Sequence, residues 1–419
     1  MRATTVRTGP SSLVVVGASL AGVRAVEAAR KAGFAGRITL IGDERHLPYD
    51  RPPLSKDLLA PGGPIDPVTF RSRAELVDEL GVELLLDAPA TGLDPEAQVV
   101  DIGGDDVAYD ALVVATGAAA RSLPGTENLV GVHVLRTLDD ARAVRRALDE
   151  GARTVVVGAG FIGSEVASAA RKRGLPATIV EALPTPLVRS VGPDLGLALA
   201  SLHTRNGTAL RCGQSVDVVE GTGRVEGVRL ADGTVIDADL VVVGIGAVPR
   251  TEWLAGSGLP VENGVICDEF LRAGAPGVYA AGDVARWHNV LFDRSMRVEH
   301  WSTAAEQGAR AARNALSPAQ AQSYATVPYF WSDWYGSRIQ FAGVATNDGY
   351  EIVSGDPAGD HFVALYREGD RLTGVLTLNG QRHVMKYRRL IAQRARFDEA
   401  VAFAQTVTPT RSTATATSH

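Results

Sequence analysis

Two stretches of this chain repeat one pattern of strand, glycine turn and helix, and a chain that carries it twice is constrained to build two parallel-sheet units. The first is Ser11 to Gly22, SSLVVVGASLAG; the second is Thr154 to Gly163, TVVVGAGFIG. In each, a short apolar run rich in β-branched residues predicts a fully buried strand. It breaks into glycines, and small-residue helices are predicted over Val23–Ala32 and Ser164–Lys172. Gly17 and Gly158 let the chain turn at once, while Gly22 and Gly163 let helix and strand approach closely. The helix start then offers free N–H groups and a positive dipole end to a pyrophosphate. The second copy is a complete GxGxxG with Gly160 at its middle; in the first, Ser19 stands there instead. Each copy is followed by another predicted strand, Arg37–Ile41 and Ala177–Val180. These lead to Asp43 and Glu181, roughly 20 residues past the first glycine, where an acid meets ribose hydroxyls. Two dinucleotide sites are expected. No arginine follows Glu181 directly, which favours NADH over NADPH; Arg189, close in sequence, is the cation a 2′-phosphate would meet.

The chain's 419 residues, 45% hydrophobic and 21% charged, suffice for two or three globular domains. No apolar run approaches the ~18 residues of a membrane span, and MRATTVRTGPSS lacks the apolar region of a leader. The expectation is a cytoplasmic protein with no membrane contact. Cys212 and Cys267 lie far apart without a CxxC pattern. That excludes a local redox disulfide and a cysteine-rich zinc or iron–sulfur site, so no metal is expected. A net charge of −6 gives no support to nucleic acid as a partner. Both ends, through Pro10 and from Thr406, are Ser/Thr-rich and read as disordered.

Between the glycine motifs, Pro52-Pro53-Leu54-Ser55-Lys56 predicts an extended segment that presents Ser55 and Lys56 at a helix start, or else a plain proline loop with a solvated lysine. Strands are predicted over Val82–Leu86 and Val99–Ile102, and over a buried run from Ala111 that ends in Ala115-Thr116-Gly117. Val241 to Pro249 is that run's counterpart in the second unit. Gly277 to Ala285 predicts a strand with Asp283 at its end, placed to hydrogen-bond a polyol or to serve as a turn or cap residue.

In that order GxSxAG, PPLSK, ATGA, GAGFIGSE, VGIGAVP and AAGDVA resemble the FAD-dependent pyridine-nucleotide oxidoreductases. Within them, Arg51 to Lys56, Val298-Glu299-His300-Trp301 and Phe330-Trp331-Ser332-Asp333 are similar to the NADH-dependent ferredoxin reductases of oxygenase systems, such as those serving a cytochrome P450 or a Rieske enzyme. The resemblance runs from about Leu13 to Phe403. It implies an α/β fold of two Rossmann-like dinucleotide-binding domains, glutathione-reductase-like, plus a smaller α+β C-terminal domain. The FAD domain would comprise residues 1–121 and 249–326, the NADH domain 122–248, and the interface domain 327–419.

The same resemblance assigns roles. Gly17, Ser19, Leu20, Ala21, Gly22 and Asp43 would hold the ADP half of FAD. Arg51, Lys56, Thr116, Gly117, Asp283, Glu299, His300 and Trp301 would lie along its ribityl and flavin half. Gly158, Gly160, Phe161, Ile162, Gly163, Glu181 and Arg189 would hold NADH, with Gly246 lining the nicotinamide pocket. Trp301 and Trp331 would wall the ring system, and the helix after Trp301 would aim its N-terminus at the flavin. NADH would give a hydride to flavin N5, and electrons would leave singly to a [2Fe–2S] ferredoxin. Lys56 and Glu165 are expected to meet as an ion pair beside N5. The absence of a cysteine near Ser55 sets the chain apart from disulfide reductases. An NADH oxidase, a quinone or monodehydroascorbate reductase, or a non-enzymatic flavoprotein of the apoptosis-inducing-factor kind remain alternatives on the same scaffold.

One stretch stands out by charge. Arg382 to Arg396, RHVMKYRRLIAQRAR, holds Arg382, Lys386, Arg388, Arg389, Arg394 and Arg396 and no acid. Val384, Met385, Leu390 and Ile391 are expected to face inward, with arginines outward to attract an acidic ferredoxin, joined by Arg294, Arg297 and Arg310. If helical throughout, it puts Arg389 and Arg396 two turns apart on one face; a solvated cationic face is the plainer alternative.

Overall fold

The structure is a computed structural model that describes residues 9–407. Most of both ends read above as disordered lies outside the described residues. In chain order the helices described are α1 (Leu20–Lys31), α2 (Leu138–Asp149), α3 (Phe161–Lys172), α4 (Val188–Val191), α5 (Pro193–Arg205), α6 (Trp301–Leu316), α7 (Gln381–Ala392) and α8 (Phe397–Val407).

The two glycine motifs do found two sheets of one design. Ser12–Val16 lies between Arg37–Ile41 and Ala111–Val114, with Val82–Leu85 and Val278–Ala280 outermost. Thr154–Val157 lies between Ala177–Glu181 and Leu240–Val243, with Ala209–Cys212 and Val132–Val134 outermost. All neighbours within each sheet run parallel. Parallel strands are covered on both faces, which is why their sequences are unbroken apolar runs rather than alternating ones. Leu13, Val14 and Val15 are wholly buried, as are Leu112, Val113 and Val114.

The first sheet takes its last strand from residues far along the chain, so its unit is discontinuous. The chain leaves it along Ala118–Ala120 and returns along Ala247–Pro249, and these two crossings pair antiparallel.

The C-terminal part is a five-stranded antiparallel sheet in the order Tyr329–Trp334, Ser337–Gly343, Arg371–Leu378, His361–Glu368, Tyr350–Asp356, packed by α7 and α8. One apolar cluster joins this sheet to α4 and α5: Leu195, Leu199 and Leu202 pack with Trp334, Phe362 and Leu378. No helix among the described residues is long and apolar enough to cross a membrane.

Two expectations fail. Lys56 does not open a helix; it sits between two 3-10 turns, Pro52–Ser55 and Asp57–Leu59, at φ −115° and ψ −93°. Pro52 and Pro53 lack N–H donors; bonds from Leu54 N to Arg51 O and from Lys56 N to Pro53 O close the ends of the turn, which then breaks. The basic stretch is helical only to Ala392. Arg394 takes a left-handed φ of 57°, and the turn brings Phe397, Ala400 and Ala404 into the core. Arg396 therefore leaves the face that carries Arg389 and pairs with Asp370 at 2.7 Å and Asp398 at 3.1 Å. The inward positions of α7 are Val384, Tyr387 and Ile391, while Met385 is 49% exposed.

Candidate active site

The glycine turns explain themselves by what a side chain would meet. At Gly17, φ is +121° and an added Cβ would lie 2.1 Å from Ala115 O; at Gly158, φ is +102° and the contact is 2.4 Å to Gly244 O. Each turn is thus pressed against the end of the neighbouring strand, which is why Ala115-Thr116-Gly117 and Gly244-Ile245-Gly246 occupy equivalent places. Gly22 and Gly163 would drive a Cβ to 2.0 Å and 2.5 Å from the carbonyls of Gly17 and Gly158.

Gly160 is different, because its nearest neighbour would be 3.7 Å away, an ordinary contact. The fold does not demand glycine there; what glycine does is leave the start of α3 open to the close approach of a ligand. Gly160→Ala should accordingly keep the parental Tm and weaken dinucleotide binding about tenfold by calorimetric titration. Gly22→Ala should instead cost several kcal/mol of stability, since overpacking against backbone cannot relax.

In the first lobe Gly17, Ser19, Asp43, Arg51 and Thr116 line one cleft of about 400 Å³. Arg51 is held in it by Glu44 at 2.6 Å, by the Ser19 hydroxyl at 3.2 Å and by the Arg136 carbonyl at 2.7 Å. Ser19 in place of the middle glycine therefore has a use within the fold. Asp43 stands at the mouth, ion-paired with Arg250. Leu20 and Ala21 are buried where α1 packs on α6, and a Cβ on Gly308 would lie 2.1 Å from Ala21 O. Their side chains serve helix packing, and only their amides are left for a ligand. Thr116 donates its hydroxyl to Arg250 O at 2.8 Å, and Gly117 is left-handed at φ +70°.

Asp283, in a 3-10 turn, pairs with Arg136 at 2.8 Å. Glu299 is ion-paired with Arg297 at 2.8 Å. Trp301 opens α6 and donates its indole N–H to Asp50 at 2.7 Å. Burial holds His300 neutral, pushing its pKa down to about 4. Its Nδ1 is buried without a hydrogen-bond partner among the described residues.

In the second lobe the Glu181 carboxylate accepts Ala159 N and Leu183 N, both at 2.8 Å. It is thereby fixed over the glycine turn at the carboxyl ends of the strands. Arg189 lies on α4, exposed, and forms no hydrogen bond with Glu181. Ile162 is 45% exposed, whereas the Phe161 ring packs on Phe330 at 4.6 Å and so faces the C-terminal sheet. Gly246, at φ +105°, borders open space. Trp331 stacks on Tyr329 at 5.9 Å.

The lobes meet at Glu165. Its carboxylate, 4% exposed as a residue, accepts from Lys56 Nζ at 2.9 Å, and from the hydroxyls of Ser55 and Ser332. The expected Lys56–Glu165 pair is present. Arg136, Arg250 and Asp50 escaped the sequence reading because no motif marks them, and Ser55 and Ser332, though inside motifs, were given no site role there; each is brought to its partner from a distant segment.

Two cradles thus face one junction: glycine turns at helix starts, acids at the strand ends, and a lysine–glutamate pair between them. The Gly160 cradle and the unpartnered His300 Nδ1 at the start of α6 fit a dinucleotide and a polar ring system.

Comparison with known proteins agrees with this. Residues 11–308 match the family described as pyridine nucleotide-disulphide oxidoreductase, and 329–414 match that described as reductase C-terminal. Rhodocoxin reductase of Rhodococcus erythropolis is 38% identical over 91% of this chain and 89% of its own. Putidaredoxin reductase of Pseudomonas putida is 34% identical over 91% of this chain and 92% of its own. The solved covalent complex of putidaredoxin reductase with putidaredoxin superposes with a TM-score of 0.87 at 32% identity, covering 92% of this chain and 93% of that one.

Proposed function

Because this chain belongs to the pyridine nucleotide-disulphide oxidoreductase family, we propose that it is an FAD-containing, NADH-dependent ferredoxin reductase that feeds an oxygenase system. The observation that carries this is the Lys56–Glu165 pair, buried where the two dinucleotide cradles meet. Bound FAD supplies the conversion of a two-electron donor to one-electron delivery, which suits a [2Fe–2S] partner. The residues do the rest. The turns at Gly17 and Gly158 and the helix starts behind them hold the two pyrophosphates. Arg51 and Asp283 hold the ribityl side, with Arg136 and Arg250 as partners from outside the motifs. His300, kept neutral, and the start of α6 face the ring. Glu181 accepts the adenosine ribose hydroxyls of NADH. Trp331 walls the flavin, and the acceptor docks on α7. Cytoplasmic location is part of the proposal and accords with two free cysteines.

The test is direct. The purified protein should be yellow with one FAD, and NADH should reduce a [2Fe–2S] ferredoxin through it; turnover that ignores ferredoxin would defeat the assignment. kcat/KM should favour NADH over NADPH, because a 2′-phosphate would meet the Glu181 carboxylate, which two backbone N–H groups hold in place. Glu181→Ala should narrow that preference about tenfold or more, seen as a fall in kcat/KM for NADH. Equal use of both nucleotides by the parent would refute the role of Glu181.

A further inference from the structure

Glu165 is gripped from two distant parts of the chain. It stands in the first turns of α3, whose start forms the second cradle. From the proline turn of the other lobe Ser55 Oγ reaches Oε2 and Lys56 Nζ lies 2.9 Å from both Oε1 and Oε2, and from the C-terminal sheet Ser332 Oγ and Asp333 N, the latter at 3.3 Å, reach Oε1. The direction of the Ser332 bond is set: an ionised carboxylate can only accept, so the hydroxyl donates to Glu165 while its oxygen accepts the Trp334 indole N–H at 2.8 Å. Trp334 is wholly buried and stacks on His203 of α5 at 4.9 Å. Asp333 turns its own carboxylate away, to Arg338 at 2.7 Å.

We propose that Ser332 is a positioning residue for hydride transfer, through which the C-terminal sheet orients Glu165 and so fixes Lys56. The proposal rests on the assignment of Lys56 to the hydride site. A carboxylate with one oxygen tied to the sheet has its plane fixed, so both oxygens face Lys56 in a single geometry; with the Ser332 tie removed it rotates more freely and the ammonium follows it. The energetic signature is coupling, because Ser332 acts only by way of Lys56.

The test compares Ser332→Ala, Ser332→Thr, Lys56→Met and the Ser332→Ala/Lys56→Met double variant as FAD-loaded proteins. Ser332→Ala should slow flavin reduction in single-turnover mixing at least threefold with the NADH Kd from the same traces unchanged, and Ser332→Thr should restore the rate. In the Lys56→Met background the alanine change should add nothing. Independently of turnover, an amine-selective reagent followed by mass spectrometry should label Lys56 at least twofold faster in Ser332→Ala, with Lys31 and Lys172 as internal references. Additive rate losses, unchanged labelling of Lys56, or a threonine variant as slow as the alanine one would overturn the positioning role. A Lys56→Met protein that reduces at the parental rate would overturn it too, and would identify the assignment of Lys56 as the error.

Discussion

Lys56→Met should reduce its flavin more than tenfold more slowly than the parent in single-turnover mixing with NADH, a barrier increase of about 1.4 kcal/mol. The ammonium lies 2.9 Å from a carboxylate that is almost removed from water, in the junction proposed above to receive the nicotinamide. Methionine keeps the length and apolar stem and deletes the charge and its donors. FAD content should not change, because Lys56 takes no part in the glycine turn or the Arg51–Glu44 pair. Some stability should be lost. Breaking a buried pair costs ~3–5 kcal/mol; the low end applies here, because Lys56 is 18% exposed and Ser55, Ser332 and Asp333 N still satisfy the carboxylate. A thermal melt alongside the kinetics separates the two effects. An unaltered reduction rate would remove Lys56 from the mechanism.

The second large effect concerns the partner, and the structure changes which residues to reverse. Arg294, Arg297, Arg388 and Arg396 are each ion-paired within the protein, and Arg310 bonds to Gln322. Arg382, Lys386 and Arg389 are exposed, have no carboxylate partner among the described residues, and at spacings of four and three residues share one face of α7. The first turn of α7 contains no acid, so Arg382 sits against the positive end of the helix dipole, at a cost of ~0.3–1 kcal/mol. An uncompensated cationic stripe of this kind is worth retaining for long-range attraction of an acidic ferredoxin. The helix is moored beside Trp331, proposed above to wall the flavin: Arg388 pairs with Glu306 of α6 at 3.2 Å and lies over Tyr329, on which Trp331 stacks. Reversing all three to glutamate should raise KM for ferredoxin roughly tenfold or more at low salt, since steering accelerates association by ~10–10³. The ionic-strength dependence should flatten, while NADH-driven reduction of ferricyanide stays normal. A triple variant that reduces ferredoxin like the parent from low to moderate salt would place docking elsewhere.

The architecture was legible in the sequence because its determinants are local. An unbroken run such as Leu13–Val16 can only be a strand covered on both faces, and a glycine at Gly17 or Gly158 is forced by backbone a few ångströms away. The Lys56–Glu165 meeting was also reachable, since each residue directly abuts a motif with a known place in the fold. Tertiary structure alone decided the rest. Arg136 and Arg250 enter the site from segments whose own sequence carries no signal, and the hydrogen bonds of Ser55 and Ser332 to Glu165 were not legible in their motifs, because a hydrogen bond across the junction leaves no periodicity behind. The same holds for charge: sequence shows where arginines lie, but only packing shows which are spent on internal carboxylates. The left-handed turn at Arg394 illustrates both. Nothing in RHVMKYRRLIAQRAR marks its end, and it is the burial of Phe397 behind it that stops the helix and takes Arg396 off the face that Arg389 shares with Lys386.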